Sequence, residues 1–179
     1  MTIEIAGRPI GADHPPFVIA EMSGNHNQSL ERALAIVEAA ATAGAHAIKL
    51  QTYTADTMTL DVRGDSFEIN DPDSLWAGQN LHDLYKKAYN PWEWHGPIMQ
   101  RARELGLICF SSPFDETAVD FLEDLGVPAY KIASFENNHL PLIAKAASTG
   151  KPLIISTGMA TLAEPEDACA QPAKPAAPS

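Results

Sequence analysis

Apolar positions along this chain follow two alternating rhythms. Leu30, Leu34, Val37 and Ala41 recur at helical spacing over 29–43, and Gly44 follows as the left-handed residue that ends such a helix. Directly after it, 45–51 reads AHAIKLQ, a short apolar run with polar residues towards its end. The same order then repeats. A helix starting at Pro91 or Trp92 and ending at Leu105-Gly106 feeds 107–112. One over 116–125 ends at Gly126 and feeds 129–134. One over 140–149 ends at Gly150 and feeds 153–157. An apolar run at 17–21 precedes the first helix.

Strands alternating with helices predict parallel βαβ units, and near-continuous apolar strands predict a sheet covered on its outer face. Five strands are expected, at 17–21, 45–51, 107–112, 129–134 and 153–157. Polar residues gather at their C-terminal ends, where α/β folds carry their chemistry. Ile3-Glu4-Ile5 and Arg8-Pro9-Ile10, around Ala6-Gly7, predict a small N-terminal β-hairpin. Between the second strand and the helix near 91 lies a long insertion containing Asp, Asn, Pro and Gly. It includes a short helical piece with Leu81, Leu84, Tyr85 and Ala88 on one face. Near the end, Thr161 and Glu164 have the spacing of a capping box, with Pro165 at the end of the first turn. Pro172, Pro175 and Pro178 then recur among Ala residues, so 167–179 is expected to be a flexible tail after a unit covering 1–166.

Composition narrows the function classes. The 179 residues are 45% hydrophobic and 20% charged, enough for a packed domain. A net charge of −11 argues against a nucleic-acid surface, which needs clustered Lys and Arg. It does not forbid an anionic small molecule held by one or two inward lysines. No apolar run is long enough to span a membrane, and the N-terminus lacks the basic and apolar regions of a signal peptide. With Cys109 and Cys169 as the only cysteines, a reduced, cytoplasmic protein is expected.

Candidate chemistry sits at the strand ends. Glu21 follows FVIA and precedes Gly24-Asn25-His26-Asn27; a carboxylate there is either a surface group or the centre of a polar site. Lys49 and Gln51 share one face of the second strand. A lysine so situated either finds an anion or extends its amine to water. Lys131 repeats the arrangement in another strand, with Ser134 and Glu136 beyond it. Two inward lysines make an anion site the better reading. Ser112, Ser134 and Ser156 all fall at strand ends; singly each reads as a cap or turn residue, together they suggest a phosphate-bearing ligand. His26 is a candidate ligand or acid/base. His14, His46, His82, His95 and His139 lack metal-binding spacing and are expected to be structural or exposed. Trp76, Trp92 and Trp94 are expected to pack the insertion, Trp76 also being a candidate sugar-binding edge.

The motifs IAEMSGNHNQ, IKLQTY, CFSSPFD, YKIASFE and IISTGMATLAE, in that order, resemble the sialic acid synthase family over residues 1 to about 166. The insertion FEINDPDSLWAGQNLHDLYKKAYNPWEWH resembles its pseudaminic acid synthase branch. The resemblance implies a TIM (β/α)8-type barrel followed by a small antifreeze-like domain, working as a homodimer with a divalent metal, Mn or Mg. The implied reaction condenses phosphoenolpyruvate with a 2,4-diacetamido-trideoxy hexose to a nonulosonic acid and phosphate. Residue by residue, it implies phosphoenolpyruvate on Lys49, Ser112, Lys131, Ser134 and Ser156, the sugar on Gln51, Asn70 and Glu136, and Glu21 as the catalytic acid/base.

The chain departs from the family pattern in length. A complete barrel takes about 250 residues, so a barrel truncated after about five strands is expected. The family's metal-binding histidines and the antifreeze-like domain lie in parts absent from this sequence. Little or no synthase activity is therefore expected of the isolated chain. The alternatives are an N-acetylneuraminate or legionaminic acid synthase and, in another class, a non-catalytic half-barrel that binds phosphoenolpyruvate or self-associates through its open edges.

Overall fold

The computed structural model describes residues 2–158, 160–161 and 163–170. Strands β1 (Ile3–Ile5) and β2 (Arg8–Ile10) form the expected antiparallel hairpin. The remaining strands are β3 (Ile19–Glu21), β4 (Ala47–Thr52), β5 (Ile108–Pro113), β6 (Tyr130–Ile132) and β7 (Leu153–Ile155). They form one parallel sheet in the order β3-β4-β5-β6-β7. Each strand pairs with the next in sequence, the topology of successive units of a TIM barrel. The observed strands are shorter than the apolar runs. The run expected over 129–134 ends at Ile132, and Ser134–Glu136 forms a 3-10 turn instead.

The helices are α1 (Leu30–Thr42), α2 (Ala55–Met58), α3 (Leu81–Ala88), α4 (Trp92–Glu104), α5 (Glu116–Asp124), α6 (Leu140–Ala147) and α7 (Glu164–Cys169). Ser29 caps α1 by accepting from the Arg32 N–H, and Asp115 caps α5 by accepting from the Ala118 N–H. Gly44, Gly106, Gly126 and Gly150 follow α1, α4, α5 and α6 with positive φ, so each turn into the next strand uses a conformation that costs other residues. Strand side chains alternate. Ile48 and Leu50 of β4, Cys109 of β5 and Ile132 of β6 join a buried layer with Val37, Ile98, Ala102, Val119, Leu122 and Ile143 from the helices. The opposite face of β4 carries Lys49 and Gln51.

The last helix begins at Glu164, later than the capping spacing predicts. The Glu164 carboxylate accepts from the Thr161 N–H and hydroxyl, while Ala163 occupies the cap position. Pro165 thus falls in the first turn, where its missing N–H has no partner to lose. Helix α7 carries regular structure to Cys169, into the stretch that composition assigns to a tail; residues 171–179 of that stretch lie outside the described residues.

Behind the sheet, between β4, β5 and α4, sits a buried polar cluster. Thr52 Oγ1 lies 2.8 Å from His95 Nε2 and 2.6 Å from Ser111 Oγ, and Asn90 Nδ2 lies 3.3 Å from His95 Nδ1. His95 is fully buried, and that burial pushes its pKa down to about 4. The ring therefore bonds as a neutral imidazole. Trp92 packs on Phe121 at 4.6 Å with the rings tilted by 32° and donates its indole N–H to the Tyr53 carbonyl; Trp94 meets His26 edge-on. Both belong to α4 and its neighbours, so of the three tryptophans Trp76 alone sits in the insertion.

The insertion is docked onto the loop after β3. Gln28 Nε2 donates to the Lys87 and Tyr89 carbonyls at 3.0 and 2.7 Å, satisfying acceptors at the C-terminal end of α3. Gly24 lies against the same helix end: a Cβ there would come within 2.9 Å of the Ala88 carbonyl oxygen. Ser23, Asn27 and Gln28 all have positive φ. That is an unfavourable backbone for residues with side chains, held here by the docking contacts.

Two outcomes are expected. The folded state keeps His95 neutral below its unfolded pKa of 6.5, so stability is complete above that pH and falls as pH drops towards 4. The loss is on the order of 3 kcal/mol at most. Denaturant midpoints measured across that window will show the loss in the parent chain and a shallower slope in His95→Gln. Gly24→Ala is expected to lower stability by about 1–3 kcal/mol through the contact with Ala88, read as a lower urea midpoint.

Candidate functional site

Strands β3 to β7 deliver charged and polar side chains to one end of the sheet. Glu21 ends β3 and is in register with Lys49 on β4; the Glu21 carboxylate lies 3.5 Å from the Lys49 amine. Lys49 is only 6% exposed, whereas the Glu21 side chain is 61% exposed. The carboxylate thus stands at the open rim above a buried ammonium. Gln51 is two residues further along β4 and in register with Ser112 of β5. The Ser23 hydroxyl donates to Gln51 Oε1 at 3.4 Å, which orients the amide.

Lys131 on β6 donates to the Ile132 carbonyl at 2.8 Å and to the Ser156 hydroxyl beyond β7. Burial pushes the Lys131 pKa down, and the Lys49 charge pushes it down further, with Glu21 and Glu136 acting in the opposite sense. The two ammonium groups thus lie within electrostatic reach of one another. Ser134 follows β6, and its hydroxyl packs against Gly158, where a Cβ would come within 3.3 Å. Burial raises the Glu136 pKa, with Lys131 opposing it. Glu136 Oε2 is buried and has no hydrogen-bond partner among the described residues. Burial raises the Tyr85 pKa and the Glu136 charge raises it further, so this carboxylate lies within electrostatic reach of both Lys131 and the insertion.

Next to this charged group opens a cleft of about 560 Å³. Ser23, Asn25, Asn27 and Gln51 line it from the barrel side, and Trp76, Gln79, Leu84, Tyr85 and Lys87 from the insertion. Tyr53 and Phe114, just past β4 and β5, meet at 5.4 Å and form its inner surface.

The candidate residues divide accordingly. Glu21, Lys49, Gln51, Ser112, Lys131, Ser134, Glu136 and Ser156 all lie at the C-terminal ends of β3 to β7. Asn70 stands apart: it is exposed, its side-chain amide donates to the Asp65 carbonyl within the insertion, and it does not line the cleft. His26 is fully buried, faces Trp94 and accepts from the Gln28 N–H, which makes it part of the loop's packing. Burial lowers its pKa. Tyr53, Phe114, Leu84 and Tyr85 were not evident as site residues from sequence. The available signal was an aromatic residue directly after the polar end of a strand, as in QTY and SSPF.

Among the described residues no group of three or more His, Cys, Asp or Glu side chains comes together as a metal site. The residues present here thus do not by themselves fit a divalent ion. Cys109 is buried, which pushes its thiol up to about 12, and Cys169 is exposed; both are free. No helix among the described residues is long and apolar enough to cross a membrane.

Known proteins share this architecture. The pseudaminic acid synthase of Helicobacter pylori is 49% identical over 154 residues, covering 86% of this chain and 45% of that protein. The pseudaminic acid synthase of Campylobacter jejuni is 47% identical over 149 residues, covering 83% and 43%. The chain thus spans less than half the length of these curated relatives. Among solved structures, an N-acetylneuraminic acid (sialic acid) synthetase from Leptospira borgpetersenii, in complex with citrate, superposes with a TM-score of 0.81. It is 28% identical and matches 94% of this chain and 54% of that one. The NeuB family profile matches residues 36–174, and this chain, with its five parallel strands of a TIM-type half-barrel behind an N-terminal hairpin, belongs to that family.

Proposed function

We propose that this chain carries the phosphoenolpyruvate site and part of the sugar cleft of a pseudaminic acid synthase-type enzyme. The observation that carries the reading is the pair Lys49 and Lys131. Two like charges, one buried and one partly buried, cost free energy unless an anion shares their space. A phosphate ester with an adjacent carboxylate offers such an anion. Ser112, Ser134 and Ser156 supply hydroxyls around it, and parallel α/β sheets bind ligands at this end of their strands. The identity to pseudaminic acid synthases favours the diacetamido sugar over N-acetylmannosamine as co-substrate.

In the proposed reaction, carbon 3 of phosphoenolpyruvate forms a bond to the aldehyde carbon of the open-chain sugar, and the aldehyde oxygen takes a proton. Water adds to carbon 2 of the former phosphoenolpyruvate, and the bond from that carbon to the phosphate oxygen breaks. The products are the nonulosonate and phosphate. Lys49 and Lys131 hold the phosphate and carboxylate oxygens and offset the charge that develops on the leaving group. Glu21, exposed at the rim beside Lys49, takes the proton that the attacking water releases and delivers one to the aldehyde oxygen. Gln51 and Glu136 hold the sugar. The amide of Gln51 is oriented by Ser23, and the buried, partnerless oxygen of Glu136 accepts from a sugar hydroxyl or, when protonated, donates to one. A divalent metal would supply Lewis-acid polarisation of the aldehyde. The described residues offer no metal site, and none of these roles depends on one.

Calorimetric titration of the chain with phosphoenolpyruvate tests the reading. One site per chain is expected, with binding about tenfold to a hundredfold weaker in Lys49→Met and Lys131→Met. Binding should be unchanged in Lys145→Met, whose amine pairs with Asp120 on the outer helices. Affinity should also fall as pH rises through the lowered Lys131 pKa, because the ammonium is the binding form. Equal binding in all three variants would sink the proposal.

Stability should move the other way. A lysine whose folded pKa lies below its unfolded value of 10.5 disfavours the folded state while charged, and this penalty fades as pH climbs towards 10.5. Lys131→Met should therefore raise the unfolding temperature at neutral pH, on the order of 2 °C after solvent screening. Differential scanning calorimetry without ligand provides the measurement.

A further inference from the structure

The cleft beside the lysine pair is lined in large part by apolar side chains. Met58, Trp76, Leu84 and Tyr85 come from the insertion, and Tyr53 and Phe114 from the ends of β4 and β5. Trp76 is 49% exposed and Phe135, which lines the same cleft, is 77% exposed, so two large apolar rings of one cleft face solvent together. Tyr53 meets both Tyr85 and Phe114 edge-on, at 5.7 and 5.4 Å, so the inner wall is a fixed aromatic surface. Polar groups reach the cleft mainly from the barrel side and from Gln79 and Lys87. An ordinary hexose presents hydroxyls in most directions and matches such a wall poorly. A diacetamido-trideoxy hexose carries three methyl groups, one on each acetamide and one at carbon 6, where N-acetylmannosamine carries a single acetyl methyl and a hydroxymethyl.

We propose that the insertion wall formed by Met58, Trp76, Leu84 and Tyr85 is the specificity-determining surface for the sugar, seating its acetamido and deoxy methyl groups against the Tyr53–Phe114 floor. The inference rests on the synthase reading above and adds which residues select the sugar. The selection is exclusion as well as fit, because burying the carbon 6 hydroxyl of N-acetylmannosamine against this wall leaves that hydroxyl without a partner. A difference of one methyl in an apolar pocket corresponds to about tenfold to a hundredfold in discrimination. Gln28 and Gly24 hold the C-terminal end of α3, which carries Leu84 and Tyr85, against the loop after β3.

Saturation-transfer NMR on the chain with bound phosphoenolpyruvate is the test, using 2,4-diacetamido-2,4,6-trideoxyhexose and N-acetylmannosamine as probes. The expected result is strongest saturation at the three methyl groups and at least about tenfold tighter binding of the diacetamido sugar. Trp76→Ala should weaken that sugar about tenfold, and Trp76→Phe should largely restore it, with circular dichroism confirming that both variants fold. Equal binding of the two sugars, or unchanged binding in Trp76→Ala, overturns the assignment and leaves the synthase reading standing. Binding of phosphoenolpyruvate with no binding of either sugar overturns both the sugar half of that reading and this inference.

Discussion

Two lysine ammonium groups held at one end of a parallel sheet are the constraint around which this structure is arranged. Lys49 is almost fully buried, and its charge together with partial burial lowers the pKa of Lys131. Within the chain Lys49 is paired with Glu21, whose carboxylate stands largely in solvent, whereas the hydrogen bonds of Lys131 go to an uncharged carbonyl and an uncharged hydroxyl. A site that is electrostatically unfavourable when empty becomes favourable when an anion arrives, because the same dry surroundings that disfavour isolated charge strengthen the attraction. The sheet makes this possible. Its outer face is sealed by helices, and its alternation turns Lys49 away from them.

The second determinant is how the long segment between β4 and α4 meets the loop after β3. That segment has little regular structure apart from α2, a 3-10 turn and α3. Contacts that hold it include two carbonyls of the α3 end on Gln28, close backbone approach at Gly24 and the edge-on packing of Tyr85 on Tyr53. The unusual backbone of Ser23, Asn27 and Gln28 is the local cost of that approach. In return one polypeptide builds both walls of a cleft, one rich in amides and hydroxyls and one rich in aromatic and aliphatic groups. The EMSGNHN stretch therefore works mainly as a joint. Ser23 orients Gln51, Gly24 admits α3, and His26 packs beneath against Trp94.

Much of the architecture was legible in the sequence because it rests on local, repeated physics. Helical spacing at Leu30, Leu34 and Val37, glycine after α1, α4, α5 and α6, and apolar strands ending in polar residues are each short-range signals, and together they imply stacked parallel βα units. Strand alternation likewise places Lys49 and Gln51 on one face from the sequence alone. Element ends were less legible. The strand expected to run to Ser134 stops at Ile132, and α7 starts at Glu164, since end positions depend on which backbone groups find partners in the folded chain.

What the sequence determined by itself was the repeating unit and the residues each unit carries to its strand end, since periodicity and turn chemistry act over a few residues. What only the tertiary structure decided was which of those residues share a space. His95, expected to be structural or exposed, is a fully buried neutral ring; His26, a candidate acid/base, is core; Asn70 is turned to its own insertion, whereas Tyr53, Phe114 and Tyr85 converge on the cleft. Apart from Asn70, whose partner Asp65 is five residues away, these outcomes depend on contacts between segments tens of residues apart, and no local pattern encodes the burial and charge that such contacts impose.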